Sequence, residues 1–253
     1  KITKAMNGGI FFMNKGLLLE IPYGTRDFLP KDAKVKREIE SKLAKNFSLW
    51  GYDEIVTPTI EYVDTLTINN RSGIETHLFK FFDKNNKTVA LRHEMTTPIA
   101  RVAASRMSDD ILPYKLSYIS NVYRYEQTQE GRQCEFYQAG VELMGVAEAL
   151  GDAEVIALAV DSLQKVGLKN FEVCIGQVDF INGIMQQMGL SQEKQLQIRQ
   201  ALEQRNLVDL TNAVEDTKLP KQAKEALKSI PMLQGQEEVL ESANNLALNE
   251  QSR

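Results

Sequence analysis

Residues 121–145 read NVYRYEQTQEGRQCEFYQAGVELMG. They form two extended runs joined by a polar loop. The first run carries Arg124 and Glu126, the loop carries Gln127, Gln129, Glu130, Gly131 and Arg132, and the second run extends from about Cys134 to Leu143. Side chains on a strand alternate between faces. Tyr137, Ala139, Val141 and Leu143 therefore share one face, which is ordinary and apolar. Phe136, Gln138, Gly140 and Glu142 share the other. An aromatic ring, an amide, a glycine and a carboxylate in a row are unusual there, where Val or Ile would fill a core. Gly140 between two polar groups leaves room for something to lie on the sheet. This face is expected to be the floor of a small-molecule site.

The rest of the chain sets limits around that hairpin. With 253 residues it can bury a large core, in one large domain or one domain with a smaller insert. The 43% apolar and 25% charged fractions are those of an ordinary globular protein. The net charge of -4 gives no basic footprint for nucleic acid. Cys134 and Cys174 are the two cysteines. They are too few for a disulfide scaffold and have no metal-binding spacing. A reducing, cytoplasmic compartment is expected. No apolar run approaches the roughly 20 residues of a membrane span, so no membrane partner is expected, and neither a cofactor nor a metal.

In chain order, residues 1–14 (KITKAMNGGIFFMN) fit no later pattern. They are set aside as a flexible arm, an appended remnant or an extension upstream of a start at Met13. Residues 21–30 (IPYGTRDFLP) are a turn-rich entry. A helix follows, with Val35, Ile39, Leu43 and Phe47 at spacing four and Gly51 at its end. Tyr52–Val56 reads as a short strand broken by Pro58. Arg71-Ser72-Gly73 reads as a loop. Leu78–Asp83 and Thr88–Arg92 form a hairpin about Asn85-Asn86. Thr97 before Pro98 reads as the hydroxyl cap of a helix, which puts Glu94 and Thr96 at a strand-to-helix junction. Tyr114–Ile119 is a strand, Asp152–Val166 a helix closed by Gly167, and Phe171–Ile175 a short apolar strand. Beyond Val178 only helices are expected, with breaks at 189–191, Asn206, Pro220, Pro231 and Gly235. The domain expectation is a core over 15–176 and a helical subdomain over 177–253. His77 and His93 are the two histidines. Neither has neighbours suited to metal binding or nucleophilic catalysis.

Three stretches carry a resemblance: GTRD near the start, LRHEMT at the junction, and the hairpin with R-Y-E, G-R and E-F-Y-Q-A-G-V-E. As a set, over about residues 21–176, they resemble the catalytic domain of histidyl-tRNA synthetase, a class II aminoacyl-tRNA synthetase. LRHEMTTPIARVAAS, the segment GDAEVIALAVDSLQKVGLKNFEVCIGQVDFINGIM and the tail KSIPMLQGQEEVLESA are more similar to a paralogous family, the regulatory subunits of ATP phosphoribosyltransferase. Two departures stand out: His93 replaces the usual proline of that junction, and Glu94 replaces the aspartate more common in the regulatory subunits.

The resemblance implies an α+β fold of the class II synthetase type. An antiparallel sheet is flanked by helices, with a helical insert toward the C-terminus. It also implies further strands, a Y-Y-T-G-like segment and a G-G-R-Y-D turn, which do not occur among these residues. It implies a non-catalytic homodimer associated with a short-form ATP phosphoribosyltransferase catalytic subunit, required for the first step of histidine biosynthesis and for feedback inhibition by histidine. For histidine it assigns Glu94, Thr96 and Gln138 to the amino group, Arg124 to the carboxylate and Glu142 to the imidazole. The bland alternative is a hydrogen-bonded Gln138–Glu142 pair near a sheet edge. It further matches Arg124, Glu126, Arg132 and Phe136 to the synthetase's nucleotide clamp. The alternative there, a salt-bridged loop with Phe136 in the core, is preferred. The competing function is a histidyl-tRNA synthetase that activates histidine with ATP.

Overall fold

The computed structural model describes residues 19–68, 74–125 and 133–246. Two compact units make up the chain, one reaching to Phe171 and one starting at Glu172. The first opens with helix α1 (Pro30–Leu49). Pro30 supplies a preset first turn, and Gly51 follows the last turn at φ 80°, a conformation that glycine adopts without a Cβ clash. Strands β1 (Asp53–Glu54) and β2 (Ile60–Tyr62), helix α2 (Val63–Leu66), strands β3 (Lys80–Phe82) and β4 (Thr88–Leu91), and helix α3 (Thr96–Arg106) come next. Strands β5 (Tyr114–Tyr123) and β6 (Glu135–Met144) form the long hairpin, and helix α4 (Ala149–Val166) closes the unit, ending at Gly167 with φ 106°.

Among the described residues these strands form two three-stranded sheets. In one, β4 lies between β2 and β3, all antiparallel. Its β3–β4 turn is held by the Asp83 carboxylate, which accepts from the Asn85 and Lys87 amides, with Asn86 at φ 61°. In the other, β5 lies between β1 and β6. The β5–β6 ladder is antiparallel from Tyr114 opposite Met144 to Tyr123 opposite Glu135, while the two-residue β1 runs parallel to β5. The fold is thus the expected α+β type, with β1 a parallel exception to the antiparallel sheet.

The hairpin separates two cores. On one face Leu116 and Val122 of β5 bury against Met95 and Ile99, with Tyr118, Phe136 and Met144 packed beside them. On the other face Ile119, Val141 and Leu143 pack against Phe47, Tyr52 and Leu158 of the α1–α4 layer. That layer is also stitched by polar contacts. Asn46 Nδ2 donates to Ser162 Oγ at 3.1 Å and Trp50 Nε1 to Asp161 Oδ2 at 3.0 Å. The Tyr52 hydroxyl donates to Glu154 at 2.7 Å, and Lys115 pairs with the same carboxylate at 2.7 Å.

The second unit holds helices α5 (Val178–Gln187), α6 (Gln192–Glu203), α7 (Leu207–Glu215), α8 (Lys221–Ser229) and α9 (Glu238–Leu246). Its core is apolar: Ile184, Met185, Ile198, Ala201, Leu210, Val214 and Leu227. Ser191 and Asn206 cap α6 and α7 by accepting from the Lys194 and Asp209 amides.

Two local expectations give way. Residues 171–175 form no strand, and Val173 and Ile175 are exposed. An apolar run becomes a strand only with a ladder partner, and none pairs with it among the described residues. The expected loop at 71–73 lies outside the described residues. No helix among the described residues is long and apolar enough to cross a membrane.

Candidate functional site

The site forms where the β4–α3 junction meets the polar face of β6. Leu91 ends β4, and the chain turns through Arg92, His93 and Glu94 before α3 begins at Thr96. The first amides of a helix have no acceptor within it. Here the Glu94 carboxylate accepts from Thr96 N at 2.6 Å and from Thr97 N at 2.9 Å. The expected Thr97 cap is therefore corrected. Thr97 lies inside the first turn, and the carboxylate reaching from upstream does the capping, favoured by the positive end of the helix dipole.

Thr96 in turn donates its hydroxyl to Glu142 Oε1 at 2.8 Å. Glu94, Thr96 and Glu142 are thus joined in one hydrogen-bonded chain. Burial pushes the Glu142 carboxyl above the ordinary carboxylate range, the Thr96 hydroxyl opposes that rise, and the Glu94 charge adds to it. No cation pairs with either carboxylate among the described residues. Gln138 lies on the same β6 face, opposite Ser120. Its Oε1 is buried without a hydrogen-bond partner among the described residues.

Arg124 stands just past β5. Its amide donates to Cys134 O at 2.8 Å, its Nε donates to His93 O at 3.1 Å, and its guanidinium lies 5.1 Å from the Phe136 ring centroid. Phe136 packs on the Met95–Ile99 core. Glu126 and Arg132, and with them Gln127, Gln129, Glu130 and Gly131, lie outside the described residues.

Tyr118 is the residue that sequence reasoning missed. The register sets it opposite Gly140, and a Cβ on that glycine would stand 2.5 Å from the Tyr118 hydroxyl. The space over Gly140 is thus filled by the Tyr118 ring rather than left open. Burial, Glu142 and Glu94, in that order, push the Tyr118 hydroxyl up to about 12. It stays protonated at neutral pH beside two carboxylates. Period two in YKLSYISNVY does place Leu116, Tyr118, Ser120 and Val122 on one face. Only the cross-strand register puts Tyr118 over Gly140.

Chemically, the arrangement sets two carboxylates, a hydroxyl and a phenol close together, with an amide oxygen unpartnered among the described residues further along the same face of β6 and a guanidinium just past β5. It suits a small cationic group with several N–H donors, such as an ammonium or an imidazolium.

Comparisons with known proteins bear on the family and the fold. The model of the histidyl-tRNA synthetase family matches residues 24–253. An ATP phosphoribosyltransferase regulatory subunit of Moorella thermoacetica is 40% identical over 231 residues, which are 91% of this chain and 59% of that protein. A crystal structure described as an ATP phosphoribosyltransferase regulatory subunit/histidyl-tRNA synthetase from Bacillus halodurans superposes with a TM-score of 0.85 at 36% identity, covering 95% of this chain and 62% of that one. Apo histidyl-tRNA synthetase of S. aureus is 32% identical at a TM-score of 0.51, covering 60% of this chain and 40% of that one. The chain spans under two thirds of the length of these relatives. The match over residues 24–253 and the α+β fold together place the chain in the histidyl-tRNA synthetase family.

Proposed function

We propose that this chain acts as the regulatory subunit of ATP phosphoribosyltransferase. It does no chemistry itself, associates as a homodimer with a short-form catalytic subunit in the cytoplasm, and makes that enzyme sensitive to histidine. The observation that carries the reading is the similarity over 91% of the chain to a protein of that name. The site supports its effector half. Among the described residues Glu94 and Glu142 have no cation and Gln138 Oε1 no donor, and histidine brings an ammonium and an imidazole. Glu94 spends one lone pair of each oxygen on α3 and keeps others for a ligand. Arg124 is the group for the ligand carboxylate.

A second reading is a histidyl-tRNA synthetase, and Arg124 over the Phe136 ring favours it by keeping part of a nucleotide clamp. Two assays separate the readings. Mixing with a short-form catalytic subunit should restore phosphoribosyl transfer to ATP and its inhibition by histidine. Robust histidine-dependent ATP–pyrophosphate exchange would sink the regulatory reading. Within it, Glu142→Ala and Gln138→Ala should abolish histidine binding in calorimetry and leave association with the catalytic subunit intact. Unchanged histidine binding in both variants would remove the site assignment.

A further inference from the structure

Arg92 is only 4% exposed, a buried guanidinium that no carboxylate pairs with among the described residues. Burial lowers its basicity. A buried charge without hydrogen-bonded compensation is costly. Here neutral acceptors from two other segments compensate it. Nε donates to the Asn121 carbonyl at 3.0 Å, and Nη1 donates to the Thr57 carbonyl at 2.8 Å. Longer contacts at 3.4 Å reach Thr57 Oγ1, the Pro58 carbonyl and Asn121 Oδ1. The backbone is held as well: Arg92 N donates to Thr59 O and Arg92 O accepts from Tyr123 N, each at 2.9 Å. Negative charge acts on it without contact: Glu61 opposes the loss of basicity through space, and Asn121 Nδ2 donates to Glu135 Oε1 at 2.9 Å.

These bonds make Arg92 a tie between the two sheets of the first unit. It joins the loop before β2 to the end of β5. The segment hanging from it is the one that carries Glu94 and Thr96. The next residue, His93, gives its carbonyl to Arg124. Glu94 then caps α3 and Thr96 meets Glu142. Where Arg92 is anchored therefore sets where the Glu94 carboxylate stands relative to Glu142. Arginine suits this task because its planar fork reaches acceptors on both sides at once, which a lysine ammonium cannot do.

We propose that Arg92 is a positioning residue for the acidic pair: without touching the ligand, it fixes the β4–α3 junction so that Glu94 and Thr96 face Glu142. The ligand part of the test rests on the histidine reading above. The geometric part does not.

Arg92→Met and Arg92→Lys are made in the intact protein, with the melting curve checked for each. Two quantities are read: histidine affinity by calorimetry, and the titration of the Glu142 carboxyl carbon by NMR. Arg92→Met should weaken histidine about ten- to a hundredfold, with Arg92→Lys falling between it and wild type, as expected when a supporting group lets a site drift. The Glu142 titration should move in Arg92→Met, because the Thr96 hydroxyl and the Glu94 charge that act on it are both carried by the junction. If Arg92→Met does not fold, Arg92→Lys carries both measurements. A superimposable Glu142 titration in a folded variant, with affinity within about twofold of wild type, overturns the proposal. A wild-type protein that does not bind histidine overturns the functional reading instead, and the Glu142 titration alone then decides on Arg92.

Discussion

The two units of this chain build their interiors from different materials. Among the described residues, every buried polar or charged residue lies before Phe171: Asn46, Thr57, Glu61, Arg92, His93, Ser117 and Ser162. The buried apolar side chains among the described residues after Glu172 are Ile184, Met185, Ile198, Ala201, Leu210, Val214, Ala226 and Leu227. Asn182 contributes a buried oxygen there, on a residue that is itself only partly covered. A polar group costs free energy when buried and must find partners. The first unit meets that demand with specific bonds such as Arg101 forking onto Glu61 at 2.6–3.0 Å. Such bonds fix geometry, and a recognition site needs fixed geometry. The second unit asks only for apolar volume, and its charges stay outside in pairs such as Lys224–Glu215 and Lys228–Glu225.

The largest effect expected from this contrast is in the helical unit. Leu210 is fully buried in its core. Leu210→Ala should cost about 2–5 kcal/mol, the transfer of the lost methyls plus the cavity left behind. Leu210→Asn should cost more still, by about 1–3 kcal/mol, because the described side chains packed around Leu210 are apolar. Urea unfolding of both variants gives the comparison. If Leu210→Asn is no worse than Leu210→Ala, the interior can satisfy a polar group and the contrast between the units fails.

The same contrast explains what could be read in advance. The helices were legible because their signals are local. Val35, Ile39, Leu43 and Phe47 repeat at helical spacing, Gly51 and Gly167 take left-handed closing positions, and Asn206 and Pro220 punctuate the second unit. The alternation that divides β6 into two faces was equally local. What escaped depends on partners far away in sequence. The Thr97-Pro98 pair looks like a cap, but a carboxylate three residues upstream reaches the amides first. Gly140 looks like a vacancy, but the register brings Tyr118 across it. Residues 171–175 look like a strand, but strand formation needs a neighbour that the local pattern does not supply. At Arg92 the residue is visible and its acceptors, at Thr57 and Asn121, are not.

A smaller effect, in the first unit, sharpens the comparison through pH. Glu142 titrates above the ordinary carboxylate range, so the folded chain holds this proton more tightly than the unfolded chain does. As pH rises from the ordinary glutamate value through the raised one, the unfolded state releases the proton first. Stability therefore falls across that window and levels off above it. Glu142→Gln keeps an acceptor for the Thr96 hydroxyl and removes the titration. Relative to wild type it should gain stability as pH rises through that window and keep the gain above it. Unfolding curves that stay parallel over this range would mean that Glu142 is not held in a desolvated setting beside the Glu94 charge, and the acidic site would lose its main electrostatic support.

The smallest effect should come from the surface of the helical unit. Glu215 accepts from Lys228 at 2.9 Å and from Lys224 at 3.1 Å, and these bonds, Lys228 first, hold its carboxyl below the ordinary range. The sign is opposite to that of Glu142. A depressed carboxylate stabilises the fold above its unfolded value, and the contribution is lost as pH falls through the depressed one. Glu215 is solvent-exposed, and solvent screens such pairs strongly. Glu215→Gln should therefore lower the urea midpoint slightly at neutral pH and low salt. The difference should shrink as salt is added and vanish in acid. A loss that survives high salt would mean that this cluster holds α7 to α8 by something other than screened surface charge, and the helical unit would then share the directional polar bonding that sets the first unit apart.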